Sequence, residues 1–121
     1  ELIPKLFPPE FAAANPELLA QLIEGAKHYP AEGLATAMEA MRDRPDQTEL
    51  ISNFPFPVGI IVGLQDTLIP GNPIDLNQMK LRGGGVIKMT RSIGHMGMYE
   101  APEETRSHLK EFLAFGEVSK D

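Results

Sequence analysis

The sequence predicts an α/β fold in which a helical segment over residues 1–45 precedes a strand–helix–strand–helix unit over residues 46–121. Three observations carry this reading. Apolar residues recur with a helical period through the first third of the chain. Two short runs rich in β-branched residues follow, ending at Gly63 and Met89. The charge shifts as well: residues 1–50 hold nine acids and four bases, whereas residues 51–121 hold eight and seven.

The elements follow in order. Asn15 before Pro16 reads as an N-cap with proline at the first helical position. Leu18, Leu19, Leu22, Ile23 and Ala26 then form one apolar stripe. Pro30 ends this helix, because proline lacks an N–H and disfavours a helical residue before it. A second helix is expected over about residues 31–41, with Leu34, Ala37, Met38 and Met41 on its apolar face. Asp46-Gln47-Thr48-Glu49 has capping-box spacing, with Asp in the place of Ser or Thr. It opens a short helix carrying Leu50, Ile51 and Phe54.

The run from Phe56 to Gly63 reads as a strand buried on both faces, the kind found inside parallel sheets. Asn72-Pro73 starts a short helix to about Met79. Gly83-Gly84-Gly85 lacks the Lys-Ser/Thr of a phosphate-binding loop and reads as a flexible connection to a second strand, Val86–Met89. Pro102 begins a final helix to about Phe115, and Glu103 and Glu104 suit the positive end of its dipole. Thr105, Leu109, Phe112 and Leu113 are its expected inner face. Strand, helix, strand, helix implies parallel pairing.

The length of 121 residues suffices for one domain, yet two parallel strands are too few for an independent sheet. The chain also opens on Glu1 rather than Met. Together these lead us to expect part of a larger protein. The absence of cysteine excludes disulfides, thiolate metal sites and cysteine nucleophiles. A net charge of −6 argues against general nucleic-acid binding, which depends on Lys and Arg displacing phosphate counterions. The longest strongly apolar stretch, Val58–Leu64, is far shorter than the roughly 20 residues of a membrane span.

In open parallel sheets, functional groups collect beyond the carboxyl ends of the strands. Asp66 lies three residues after the first strand and His95 six after the second. Parallel neighbours would bring both loops to one edge, where a carboxylate can fix the tautomer of an imidazole and stabilise its protonated form. On spacing alone, a turn aspartate and a loop histidine satisfied by backbone explain the pair about as well.

Gly63-Leu64-Gln65-Asp66-Thr67-Leu68-Ile69-Pro70 resembles the Gly-x-x-Asp-x-x-x-Pro segment of α/β-hydrolase fold enzymes. Ile93-Gly94-His95-Met96, followed by Glu100-Ala101-Pro102-Glu103, resembles that family's Gly-His loop and its Glu-x-Pro lead into the last helix. Arg44-Pro45-Asp46 is also similar to many of its members, so the likeness runs over about residues 42–115. The resemblance implies that residues 46–121 form the C-terminal part of a doubly wound sheet, and that residues 1–45 form a helical lid. It also implies a nucleophile–acid–histidine triad, with Asp66 as the acid and His95 as the general base.

The family's nucleophile sits in a Gly-x-Ser-x-Gly elbow upstream of the lid. None of Ser52, Ser92, Ser107 and Ser119 has glycine two positions away on both sides; Ser92 comes nearest, with Gly94 after it but Thr90 before. The expectation is therefore a hydrolase fragment for a small ester, amide or related bond, inactive by itself.

Asp46 and Asp75 rival Asp66 as the acid, though each is better explained as a helix-start residue. His28 and His108 are expected on solvated helix surfaces, and no spacing points to a metal or cofactor. Met96 and Met98 flank His95 and either line an acyl pocket or fill core. Leu18, Leu22, Leu34, Met38 and Met41 are expected to pack the lid on the core. The expected partner is a small-molecule substrate in the parent protein, with no nucleic acid and no membrane. A second copy, or a second chain, is expected to cover the exposed sheet edge, and a cytoplasmic setting is expected. The competing reading is a non-catalytic interaction module using that same edge.

Overall fold

The computed structural model describes residues 2–69 and 80–118. It is mixed α/β, with six α-helices and a two-stranded parallel sheet among the described residues. A 3-10 turn (Ile3–Leu6) leads into α1 (Pro9–Ala14), α2 (Pro16–Ala26), α3 (Ala31–Arg42) and α4 (Thr48–Asn53). Strands β1 (Val58–Gly63) and β2 (Gly85–Thr90) follow, then α5 (Gly97–Glu100) and α6 (Pro102–Val118). The expected helix from Asn72 to Met79, and Asp75 within it, lie outside the described residues.

Both strands form where the β-branched runs place them and pair in parallel from Val58↔Gly85 to Gly63↔Thr90, but β1 is not buried on both faces as expected: Gly59 and Ile61 are exposed. The triple glycine forms the turn into β2, and Gly85 is already the first residue of that strand. The three glycines meet steric demands of one turn: a Cβ on Gly83 would lie 2.3 Å from the Phe56 carbonyl oxygen, and one on Gly85 would lie 2.6 Å from that of Val58. Between them Gly84 takes a left-handed φ of 77°, and its N–H donates to the Leu81 carbonyl at 3.0 Å.

Three local expectations are corrected. Asn15 does not cap α2 with its side chain; its Nδ2 donates back to the Phe11 carbonyl at 2.9 Å, closing α1 instead. With only Asn15 between the end of α1 and the start of α2, the amide finds the orphan carbonyl of the preceding helix first. Asp46 makes no box with Glu49. Its Oδ1 accepts from the Thr48 N–H at 2.9 Å and the Thr48 hydroxyl at 2.6 Å, so the helix opens on Thr48 through an Asx turn.

The third correction concerns α6. Phe112 lies on Gly59, close enough that a Cβ there would sit 2.7 Å from the ring. That approach rolls the helix so that Thr105, His108, Phe112 and Phe115 form the less exposed side, while Leu109 and Leu113 are 50% and 65% exposed. Both stripes have helical period, and the bare glycine selects which one the sheet receives. His108 is therefore half-buried rather than solvated; its Nε2 lies 3.3 Å from the hydroxyl of buried Thr90.

The hydrophobic centre is small. Among the described residues, Phe7 and Ile93 are buried to 3% and 2% exposure, and Pro8 is buried beside Phe7. Phe7 stacks on Phe11 and meets Tyr99 edge-on. Pro8 lies over Gly94, so this first segment is seated on the loop that follows β2. By contrast α3 has no buried residue, and Leu34, Met38 and Met41 are exposed rather than packed on a core. Leu18 and Leu22 of α2 are half-buried.

Candidate active site

Parallel pairing brings the ends of β1 and β2 together, and the chain continues the pairing past them. The Leu64 N–H donates to the Thr90 carbonyl at 2.9 Å and the Gln65 N–H to the Ile93 carbonyl at 3.0 Å. Gly63 makes this possible, since a Cβ there would lie 2.1 Å from the Gly94 carbonyl oxygen and 2.5 Å from that of Ile93. The two loops are thus bonded to each other before either presents a functional group.

Asp66 stands at the turn of the first loop, its N–H donating to the Gly63 carbonyl. Its two oxygens have separate duties. Oδ1 accepts from the backbone N–H of Leu68 at 2.9 Å and of Ile69 at 2.8 Å. Oδ2 lies 2.8 Å from His95 Nδ1 across the gap between the loops. The Asp66 side chain is 12% exposed and that of His95 29%. Asp66 and His95, placed in the sequence as acid and base, are therefore in direct contact.

Electrostatics keep Asp66 ionised. Burial is the largest single influence and pushes its pKa up, but the Ile69 N–H, the His95 ring, the Leu68 N–H and the His95 charge together pull it below the usual carboxylate range. An ionised carboxylate only accepts hydrogen bonds, so the His95 proton facing it sits on Nδ1. In the neutral ring that leaves the Nε2 lone pair free, and among the described residues no protein group bonds to it. This is the tautomer a general base requires.

A depressed carboxyl pKa means that the unfolded chain binds more protons than the folded one near pH 4. The stabilisation from ionised Asp66 is present above about pH 4 and is lost as pH falls through the lower folded value. Asp43, Asp46 and Glu111 are shifted the same way by surface partners, so the total acid limb is shared. Asp66→Asn is expected to flatten only its part of that limb. The measurement is denaturant midpoint against pH in both chains, and an unchanged slope would count against the bonding described.

The second loop is held from its far side. The Glu100 carboxylate accepts from the Gly94 N–H at 2.6 Å and the Met96 N–H at 2.9 Å. The sequence showed Glu100 only as a part of the Glu-x-Pro pattern; its position four residues after Met96 was the available signal. Ser92, the serine nearest the elbow pattern, is an exposed turn residue. The rival Asp46 is engaged by Thr48. Met96 is half-buried and Met98 exposed, so Met98 fills no core.

A cleft lined by Pro4, Lys5, Phe7, Pro9, Thr67 and Leu68 reaches the two residues after Asp66, but neither Asp66 nor His95 lines it. Among the described residues no three His, Asp or Glu side chains converge to hold a metal ion. No helix among them is long and apolar enough to cross a membrane. No protein-family model matches the chain, and no curated protein matches it.

Proposed function

We propose that this chain supplies the acid–base half of an α/β-hydrolase active site for a small ester, amide or related bond. The observation that carries the reading is the 2.8 Å contact between Asp66 Oδ2 and His95 Nδ1, with Oδ1 already occupied by backbone. Nε2 would take a proton from the attacking hydroxyl and return one to the leaving group. The nucleophile would come from outside these 121 residues, as would the oxyanion donors, because no serine here has elbow flanks.

The test is turnover of an activated ester. The 121-residue chain alone is expected to give none that a serine-directed reagent blocks; joined to the segment bearing the elbow, it is expected to give turnover that the reagent abolishes. Reagent-sensitive turnover by the chain alone would refute an external nucleophile. No turnover from the joined form would refute the hydrolase reading.

A second reading, an interaction module, is favoured by surface area. The chain exposes 9097 Å², against roughly 6,500 Å² for a compact protein of its mass. Each strand has an unpaired edge among the described residues, and Leu109 and Leu113 are uncovered. A polypeptide adding strands at that edge would serve both readings if it carried the nucleophile. A second copy would serve only this one, and a dimeric mass in solution identifies it.

A further inference from the structure

We propose that Glu100 is the positioning residue of this site, its carboxylate setting the backbone on both sides of His95 so that the ring meets Asp66. The inference rests on the Asp66–His95 reading above and adds to it the group that makes the contact reproducible.

The loop after β2 is anchored at its start, where Ile93 is buried and its carbonyl accepts from Gln65. It is anchored again at its end. Tyr99 and Glu100 N–H groups return to the Met96 carbonyl, and the Thr105 hydroxyl of α6 donates to the Gly97 carbonyl at 2.9 Å. Between these anchors lie Gly94, His95 and Met96, and two of their three N–H groups are taken by one carboxylate. Oε2 receives Gly94 and Oε1 receives Met96. The peptide units entering Gly94 and leaving His95 are thereby tied to one rigid planar group.

The approach is also crowded, since a Cβ on Gly94 would lie 2.8 Å from Pro8 and 3.3 Å from Glu100 Oε1. The opposite loop holds Asp66 by the same means, with one carboxylate oxygen accepting two backbone N–H groups. Each partner of the pair is thus fixed by carboxylate-to-backbone bonds. Glu100 touches no substrate-facing atom of the ring; it acts through His95's backbone.

Glutamine cannot replace it fully. Its amide has one acceptor oxygen, and its NH2 would face the second N–H donor. Alanine removes both bonds.

The experiment reads the exchange-protected His95 Nδ1–H resonance in the 121-residue chain by NMR, with amide exchange at Gly94 and Met96 beside it. Asp66→Ala is the reference that removes the acceptor. Glu100→Ala is expected to lose the Nδ1–H resonance as Asp66→Ala does, and to speed exchange at Gly94 and Met96 by about ten-fold or more. Glu100→Gln is expected to weaken the resonance partially. If Asp66→Ala abolishes the signal while both Glu100 variants keep it at full strength, the positioning role is overturned and the pair stands. A wild-type ring without that signal, or one indifferent to Asp66→Ala, overturns the pair and this proposal with it. Should Glu100→Ala fail to fold, Glu100→Gln decides: a weakened signal in a folded chain supports the role, and a full one overturns it.

Discussion

Replacing Asp66 with asparagine is expected to leave the loops in place and, on the proposed hydrolase reading, to cut turnover of the chain joined to an elbow-bearing segment about 10⁴-fold. The size follows from how the carboxylate is divided. Oδ1 accepts two backbone N–H groups, from Leu68 and Ile69, and both continue to demand an acceptor in the variant. The asparagine amide must therefore keep its oxygen on that side and turn its NH2 toward His95. A donor facing Nδ1 forces the lone pair onto that nitrogen and the proton onto Nε2. Nε2 is then unable to take a proton from a nucleophile. His95→Ala removes the base outright and is expected to lose about 10⁶-fold, with Asp66→Asn/His95→Ala no worse, because residues acting as a unit are not additive. Steady-state turnover of the four forms checks this. An Asp66→Asn enzyme within ten-fold of wild type would rule out the acid role.

Much of this arrangement was legible in the sequence because it depends on short-range rules. The β-branched run from Val58 to Val62 and the shorter Val86–Met89 mark both strands, and the two pair in parallel as expected, while the helix expected between them lies outside the described residues. Parallel pairing alone then put Asp66 and His95 at one edge. What the sequence hid were choices among equivalent partners. Leu109 and Leu113 look as suited to the sheet as His108 and Phe115, and Gly59 on another element decides between the stripes. Asn15 had two helix ends within reach of its amide and served the earlier one. The apolar period of α3 predicts a core face that the structure leaves exposed, because period shows only which side of a helix is apolar, not whether anything covers it. Glu100 is visible as a residue type but not as a bracket, because its two acceptor bonds depend on the short helix α5 carrying its carboxylate back to the Gly94 and Met96 N–H groups.

Gly63→Ala is the sharpest test of how the site is assembled, with an expected loss of about 3 kcal/mol or more. A Cβ at this position meets backbone rather than movable side chain, 2.1 Å from the Gly94 carbonyl oxygen and 2.5 Å from that of Ile93. Neither atom can retreat alone. The Ile93 carbonyl is bonded to the Gln65 N–H, Ile93 itself is buried, and Gly94 is held between Pro8 and Glu100. Relief requires the two loops to separate, which breaks the Gln65–Ile93 bond and draws Asp66 away from His95. Gly25→Ala provides the opposite case: nothing lies within 4 Å of its Cβ in α2, so alanine is expected to stabilise by up to about 1 kcal/mol through helix propensity. Denaturant midpoints of the two variants should therefore move in opposite directions from that of the unchanged chain. The His95 Nδ1–H resonance should vanish only in Gly63→Ala, because the distance between the loops, and not the stability of the chain as a whole, sets the contact between acid and base.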